Sequence, residues 1–284
     1  MTVVRTVREL RDALGAAVGK STQHAAPSTR APIVGFVPTM GALHAGHAAL
    51  FDAARREAAT VVASLFVNPR QFNDRRDLEA YPRDEAGDAA MARDHGVDLL
   101  FVPGETEIYP DGDSTVVSVG GVAEGFEGAA RPGHFQGVAT VCLKLFQIVR
   151  PDVAYFGQKD AQQVAVIRQL VRDLHLSLDV RVVPTVRDRD GVAWSSRNAR
   201  LSPDERRRAA ALPQALRAAV DAHRAGRDPV AAARAALDGL EVEYASIATF
   251  QGEPTLVLAV RLGRTRLIDN VPLSDPARAG LGPS

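Results

Sequence analysis

Five short apolar runs constrain this chain more than any other feature of its sequence. They are "IVGFV" (33–37), "TVVASLFV" (60–67), "VDLLFV" (97–102), "DVAYFG" (152–157) and "DVRVVPTV" (179–186), with stretches of helical periodicity between them. A strand that is apolar on both faces has to be covered on both, so continuous runs of this kind indicate a parallel sheet flanked by helices. Helical patterns from about 44, over 84–95, over 136–149 and through "DAQQVAVIRQLVRDL" supply that cover. "VVRTVRELRDALGAAV" (3–18) reads as a further strand and helix, and "STVVSV" (114–119) as another strand. Crossovers of one hand between parallel strands then give a doubly wound α/β architecture.

The pattern changes after the polar turn "RDRDG" (187–191). Two Ala/Arg-rich helices over 203–225 and 228–239 precede three short strands, "EVEYASIATF", "TLVLAV" and "TRLID". That order is α+β, which places a domain boundary near 186 and divides the chain into 1–186 and a smaller 187–284. "GKSTQHAAPSTRAP" (19–32) is expected to be a mobile loop and the tail "SDPARAGLGPS" to be disordered. Arg206 to Arg208, on a helix opened by Ser202 and Pro203, read as a solvated face rather than a phosphate patch.

Lys plus Arg and Asp plus Glu each number 34, so no excess of positive charge seeks a polyanion and nucleic acid is not an expected partner. The single cysteine, Cys142, excludes disulfide frameworks and multi-cysteine metal sites. Its setting in "VATVCLKLFQIV" makes it a buried core thiol. No basic-then-apolar leader opens the chain and no apolar stretch nears the ~18 residues of a membrane helix. A cytoplasmic location with no membrane partner is the expectation.

Candidate chemistry gathers where apolar runs end. "IVGFVPTMGALHAGHAALFDAARR" reads as strand, turn and helix, with Pro38 and Gly41 in the turn and the helix starting near His44. In open α/β sheets ligands bind beyond the carboxyl ends of strands, and a helix N-terminus there favours phosphate. His44 and His47 are three apart and can face one anion, while Gly46 permits close approach to the backbone. Alone, H-x-G-H reads equally well as two surface histidines at a helix start. "YFGQKDAQQ" (155–163) repeats the strand, turn and helix pattern and carries Lys159. "VAWSSRN" (192–198) brings Ser195, Ser196 and Arg197. Hydroxyls, a guanidinium and an ammonium together suit phosphate oxygens, and with the histidines they suggest two jaws around a nucleotide.

In this order, "FVPTMGALHAGH", "FVNPRQF", "YPRD", "RPGHFQGV", "FGQKDAQQ" and "SSRN" resemble the pantothenate synthetase (pantoate–β-alanine ligase) family, from about residue 33 to 201. The resemblance implies a Rossmann-like nucleotidyltransferase domain whose smaller C-terminal domain forms a lid over the active site. It implies a two-step ligation in the cytoplasm by a homodimer. ATP and pantoate give pantoyl adenylate and pyrophosphate, and β-alanine then displaces AMP. By position, Met40, Gly41, Ala42, Leu43, His44, Ala45, Gly46 and His47 would wrap the nucleotide, with both histidines toward the phosphates. Gly157, Gln158, Lys159, Asp160 and Val186 would frame adenosine, with Lys159 at the α-phosphate. Ser195, Ser196 and Arg197 would hold the departing pyrophosphate, with Trp194 at the edge of that clamp. Asn68, Gln71 and Gln163 would grip pantoate. His134 is a weaker correspondence, and His24, His95, His175 and His223 have no motif context.

Three positions depart from the family pattern. The acidic block after "YPR" has Gly87 before Asp88, which leaves Asp88 as the candidate ligand for the Mg²⁺ that ATP chemistry implies. Trp194 stands where a smaller apolar residue is usual, and Arg70 where an uncharged one is. Two rival readings stay open: a related adenylyltransferase with another acceptor, and a nucleotide-sensing module without catalysis.

Overall fold

The computed structural model of the protein describes residues 1–23, 33–250 and 252–281. The first part of the chain alternates strands and helices: β1 (Thr2–Val4), α1 (Val7–Gln23), β2 (Val34–Thr39), α2 (Ala45–Glu57), β3 (Thr60–Leu65), α3 (Arg75–Glu79) and α4 (Glu85–Asp94). It continues with β4 (Leu99–Phe101), α5 (Glu105–Ile108), α6 (Phe126–Ala130), α7 (His134–Val149), β5 (Val153–Gly157), α8 (Ala161–Asp173) and β6 (Asp179–Val183). The remainder is α9 (Pro203–Ala209), α10 (Ala211–Arg224), α11 (Pro229–Ala236), β7 (Glu241–Phe250), β8 (Glu253–Leu262) and β9 (Thr265–Pro272).

The sequence divides into two compact units. The first comprises residues 1–43, 47–156 and 166–182, and the second comprises residues 44–46, 157–165 and 183–284. In the first lies a six-stranded sheet ordered β1-β4-β3-β2-β5-β6. The pairs β1–β4, β4–β3, β3–β2 and β2–β5 are parallel. Chain order runs outward from β2 through β3 and β4 on one side and through β5 and β6 on the other. With right-handed crossovers, that reversal puts successive helices on opposite faces of the sheet, as the doubly wound reading requires. All six residues of β3 are buried, which is why the run shows no polar alternation. Phe146 of α7 packs edge-on against Phe36 of β2 and Phe156 of β5, with ring centroids 6.4 and 6.5 Å apart. Gly35 is required where β2 passes under α2, because a Cβ there would lie 2.9 Å from the Ala58 methyl and 3.2 Å from the Tyr155 ring.

The second unit has an antiparallel sheet ordered β7-β8-β9. Its core joins Leu212 and Leu216 of α10 to Leu256, Leu258 and Val260 of β8 and Leu267 and Val271 of β9. Ser202 and Glu205 form a reciprocal capping box at the start of α9. Arg206 is not simply solvated: it pairs with Asp188 and, at 2.7 Å, with Asp190 in the polar turn. Arg207 and Arg208 are exposed as expected.

The structure corrects four expectations. Helix α1 runs on to Gln23, into the segment read as a loop; no proline interrupts it before Pro27, and residues 24–32 lie outside the described ones. Residues 114–119 form no strand, because the Val117 N–H and carbonyl are both taken by the Thr140 hydroxyl of α7. The helix expected over 203–225 is broken at Ala210, since Pro213 has no N–H to bond a preceding carbonyl. The tail is folded through Leu281: Ala279 and Leu281 are buried in the second core, and the Arg278 carbonyl accepts the Thr185 N–H at 3.0 Å.

Arg187 ties this second unit together. Its guanidinium meets Asp269 of β9 in a bidentate pair (2.6 and 3.0 Å) and also donates to the carbonyls of Ala279 and Gly191. The two side chains are only 6% and 1% exposed. Arg187→Ala therefore leaves a buried carboxylate uncompensated and should cost about 3–5 kcal/mol in urea denaturation. A loss below about 1 kcal/mol, as for a surface pair, would contradict this.

Candidate active site

In the first unit, the loop leaving β2 takes a left-handed path, with φ of 79° at Gly41 and 52° at Ala42. A non-glycine residue in that region is strained, so something must hold it. Asp88 does so: its carboxylate accepts the Ala42 N–H at 2.9 Å and the Leu43 N–H at 2.7 Å. Tyr81 donates to the Gly41 carbonyl at 3.3 Å, and Thr39 accepts the Gly41 N–H at 3.2 Å. A Cβ at Gly41 would sit 2.8 Å from an Asp88 oxygen, so the brace also demands glycine. The residue expected to hold a metal is thus engaged with backbone donors. Among the described residues no group of three His, Cys, Asp or Glu is arranged to hold an ion.

The amides expected to meet substrate are buried in the same unit. Asn68 uses its whole hydrogen-bonding capacity within the protein. Its Nδ2 donates to Gln71 Oε1 (3.0 Å) and the Gly137 carbonyl (3.1 Å). Its Oδ1 accepts from the Tyr109 hydroxyl (2.8 Å) and the Arg70 N–H (3.3 Å). Gln71 retains capacity, since among the described residues its Nε2 meets only the soft Met40 sulfur, at 3.0 Å. The departure at Arg70 is accommodated locally: its guanidinium pairs with Asp113 at 2.8 Å and lies 3.8 Å from the Tyr109 ring centre. His134 is buried and holds Gln71 from behind, with Nδ1 3.0 Å from the Gln71 carbonyl and Nε2 3.0 Å from the Arg131 guanidinium. Tyr109 lies in no pattern that carries chemistry by itself, and Arg131 opens the "RPGHFQGV" block without a role that sequence alone assigns. Of the histidines without motif context, His95 pairs with Asp52 at 2.8 Å, and His24 lies outside the described residues.

The second unit holds His44, Ala45, Gly46, the turn 157–160 and the segment from Val186 to Arg197. His44 Nδ1 accepts the Gly46 N–H at 3.1 Å, which sets the imidazole proton on Nε2 as a donor. A Cβ at Gly46 would fall 2.9 Å from His44 Cε1, so glycine here makes room for the ring itself. Trp194 lies nearly parallel to that ring, at 21° and 6.1 Å between centroids. Burial pushes the His44 imidazole from 6.5 down to about 4, and the nearby Lys159 ammonium adds to the shift. His44 is therefore a neutral donor near the Lys159 ammonium. Lys159 sits in the 3-10 turn Gln158–Asp160, and Gln163 is half-buried in the first turn of α8. Neither α2 nor α8 carries an acidic residue in its first turn, although Asp160 immediately precedes α8. His47 is half-buried in the first turn of α2. The Trp194 N–H bonds the Val186 carbonyl at 3.0 Å, and Ser195 caps the turn Ser196–Arg200 by accepting the Arg197 N–H at 3.2 Å. Arg197 itself is exposed.

The His44 geometry has a direct readout. Because its value is lowered, the imidazole stays neutral through the physiological range and charges only well below the ordinary 6.5. Nitrogen-15 spectra of the imidazole should show the Nε2–H tautomer unchanged from about pH 5.5 to 8. A midpoint close to 6.5, or the other tautomer, would contradict this geometry.

The chain is similar to known proteins along nearly its whole length. The sequence profile described as pantoate-beta-alanine ligase matches residues 2–272. A pantothenate synthetase of Rhizorhabdus wittichii is 49% identical over 95% of this chain and 98% of its own length. One from Mycolicibacterium smegmatis is 49% identical over 86% of this chain and 82% of its own. The crystal structure of pantothenate synthetase from Thermus thermophilus superposes with a TM-score of 0.86 at 43% identity, covering 96% of this chain and 99% of that one. The pantoate-beta-alanine ligase from Francisella tularensis, complexed with beta-gamma ATP and beta-alanine, gives 0.78 at 33% identity over 96% and 98%. With the profile spanning nearly the whole chain and relatives of this identity at full coverage, the chain belongs to the pantoate–β-alanine ligase family.

Proposed function

We propose that this chain joins pantoate to β-alanine by way of a pantoyl adenylate, with the residues above in distinct roles. A pantoate carboxylate oxygen attacks the α-phosphorus of ATP and pyrophosphate leaves. The β-alanine amine then attacks the acyl carbon, loses a proton, and AMP departs. A carboxylate is a poor electrophile, so adenylation supplies the leaving group and the protein positions reactants and stabilises phosphate charge. The observation that carries this assignment is neutral His44, its proton set on Nε2, within electrostatic reach of the Lys159 ammonium. Such a pair can follow charge as it builds on the α-phosphate without a protonation step.

The segment Met40–His47 serves the phosphates, with His47 as the second imidazole, and Gly157–Asp160 with Val186 frames adenosine. Ser195, Ser196 and Arg197 take the pyrophosphate. Gln71 and Gln163 grip pantoate, and Asn68, saturated by its neighbours, orients Gln71. The Mg²⁺ that ATP chemistry implies would supply charge neutralisation at the phosphates, and Asp88, the residue placed to meet it, is engaged with the Ala42 and Leu43 N–H groups. The family resemblance also supports a cytoplasmic homodimer. A related adenylyltransferase would share the phosphate roles, and the amide set around Gln71 favours a hydroxy acid instead.

AMP release should require ATP, pantoate and β-alanine together, whereas pyrophosphate exchange into ATP should require pantoate alone. Lys159→Ala should slow that exchange by roughly two to three orders of magnitude, the scale of losing one preorganised charge-stabilising donor. Gln71→Ala should raise the KM for pantoate about tenfold or more and leave that for ATP within about twofold. Exchange supported by other acids but not by pantoate would reject the substrate. Near-normal exchange in folded Lys159→Ala would remove that residue from the chemistry.

A further inference from the structure

The turn that carries Lys159 is gripped by one side chain from the far end of the sequence. Asn270 of β9 is 2% exposed, and its carboxamide turns wholly to that turn. Nδ2 donates to the Gln158 carbonyl at 3.0 Å and to the Lys159 carbonyl at 2.8 Å, while Oδ1 accepts from Gln158 Nε2 at 3.0 Å. All these residues belong to the second unit. A buried amide at a core strand position brings no packing advantage over an apolar residue of similar size, and it is costly wherever a bond is missing. What it adds is position: two consecutive carbonyls and one side chain are fixed by a single planar group. The ammonium at the tip of such a turn must be held within a fraction of an ångström, since misplacement by about 1 Å can cost a hundredfold in rate.

We propose that Asn270 is a positioning residue for the phosphate chemistry, acting through Lys159 by clamping the Gln158–Lys159 turn to β9. This rests on the assignment of Lys159 to the α-phosphate. Asn270 makes no contact with substrate and is not itself catalytic. Its neighbour Asp269 pins Arg187 in the same way, so adjacent residues of one strand fix two segments, one bearing Lys159 and the other leading to Trp194 and Ser195. No motif marks Asn270 in the sequence, where it directly follows the strand read at "TRLID".

Two variants test this in the full-length protein. Asn270→Ala removes the clamp; Asn270→Asp keeps its shape but sets an acceptor against two carbonyls. Each should retain a cooperative thermal transition and lower pantoate-dependent pyrophosphate exchange at saturating substrate about tenfold or more, with the pantoate KM within about twofold. In a Lys159→Ala background, Asn270→Ala should change exchange by less than about twofold, because the group it positions is gone. Unaltered exchange in a folded Asn270 variant overturns the proposal, as does an equal fold loss in both backgrounds. Loss of the folded state in both variants would assign Asn270 to folding alone and likewise reject it. Near-normal exchange in Lys159→Ala by itself would instead refute the Lys159 assignment, whatever Asn270 shows.

Discussion

The parallel pairing of β2 with β5, with Gly35 opposite Val153, is the point from which the sheet of the first unit is wound in both directions. These neighbours are where chain order reverses across the sheet, and the segments that follow them diverge to helices on opposite faces. One segment brings Gly41 to His47, and the other brings Gly157 to Gln163. Residues 44–46 and 157–165 belong to one compact unit, in which neutral His44 and charged Lys159 influence one another. Gly35 permits the pairing by leaving room for Ala58 and Tyr155, and Asp152 secures it by accepting the Val34 N–H at 2.7 Å.

The supporting residues serve the site by engaging backbone groups. Asp88 holds the strained Gly41–Leu43 path, His134 and Arg131 hold the Gln71 carbonyl, and Asn270 holds the Lys159 turn. Each is buried or partly buried and bonded to a main-chain group, so each fixes geometry that the loop's own sequence would not choose. The groups assigned to substrate are held differently. Among the described residues Gln71 commits its Nε2 only to a thioether, and His44 accepts a backbone N–H at Nδ1, which sets its proton on Nε2. That division suits adenylation, in which charge moves between substrates and the protein has little covalent work to do.

Much of this could be read from the sequence, because parallel strands buried on both faces leave continuous apolar runs and strand-end turns leave glycines; the run at 179–186 is the exception, since its strand β6 lies at the sheet edge with every residue exposed or half-buried. The three C-terminal strands were visible for a similar reason, alternation and turn residues. Residues 114–119 misled because β-branched composition does not reveal that a Thr140 hydroxyl, rather than a neighbouring strand, satisfies Val117. The tail misled because its anchoring depends on Ala279, Leu281 and carbonyls taken by Thr185 and Arg187, contacts far apart in sequence. The place of Asp88 behind "YPR" suggests a metal ligand, and its hold on two backbone N–H groups shows only in the folded structure. Asn270 and Tyr109 left no local signal at all.

The central claim is that activation passes through an acyl adenylate formed beside His44 and Lys159. Pantoate labelled with oxygen-18 in both carboxylate oxygens tests it most directly, by following the label into products by mass spectrometry. The account predicts one labelled oxygen in AMP for each pantothenate formed, with the other retained in the amide carbonyl. Label in inorganic phosphate, with ADP as the nucleotide product, would contradict it.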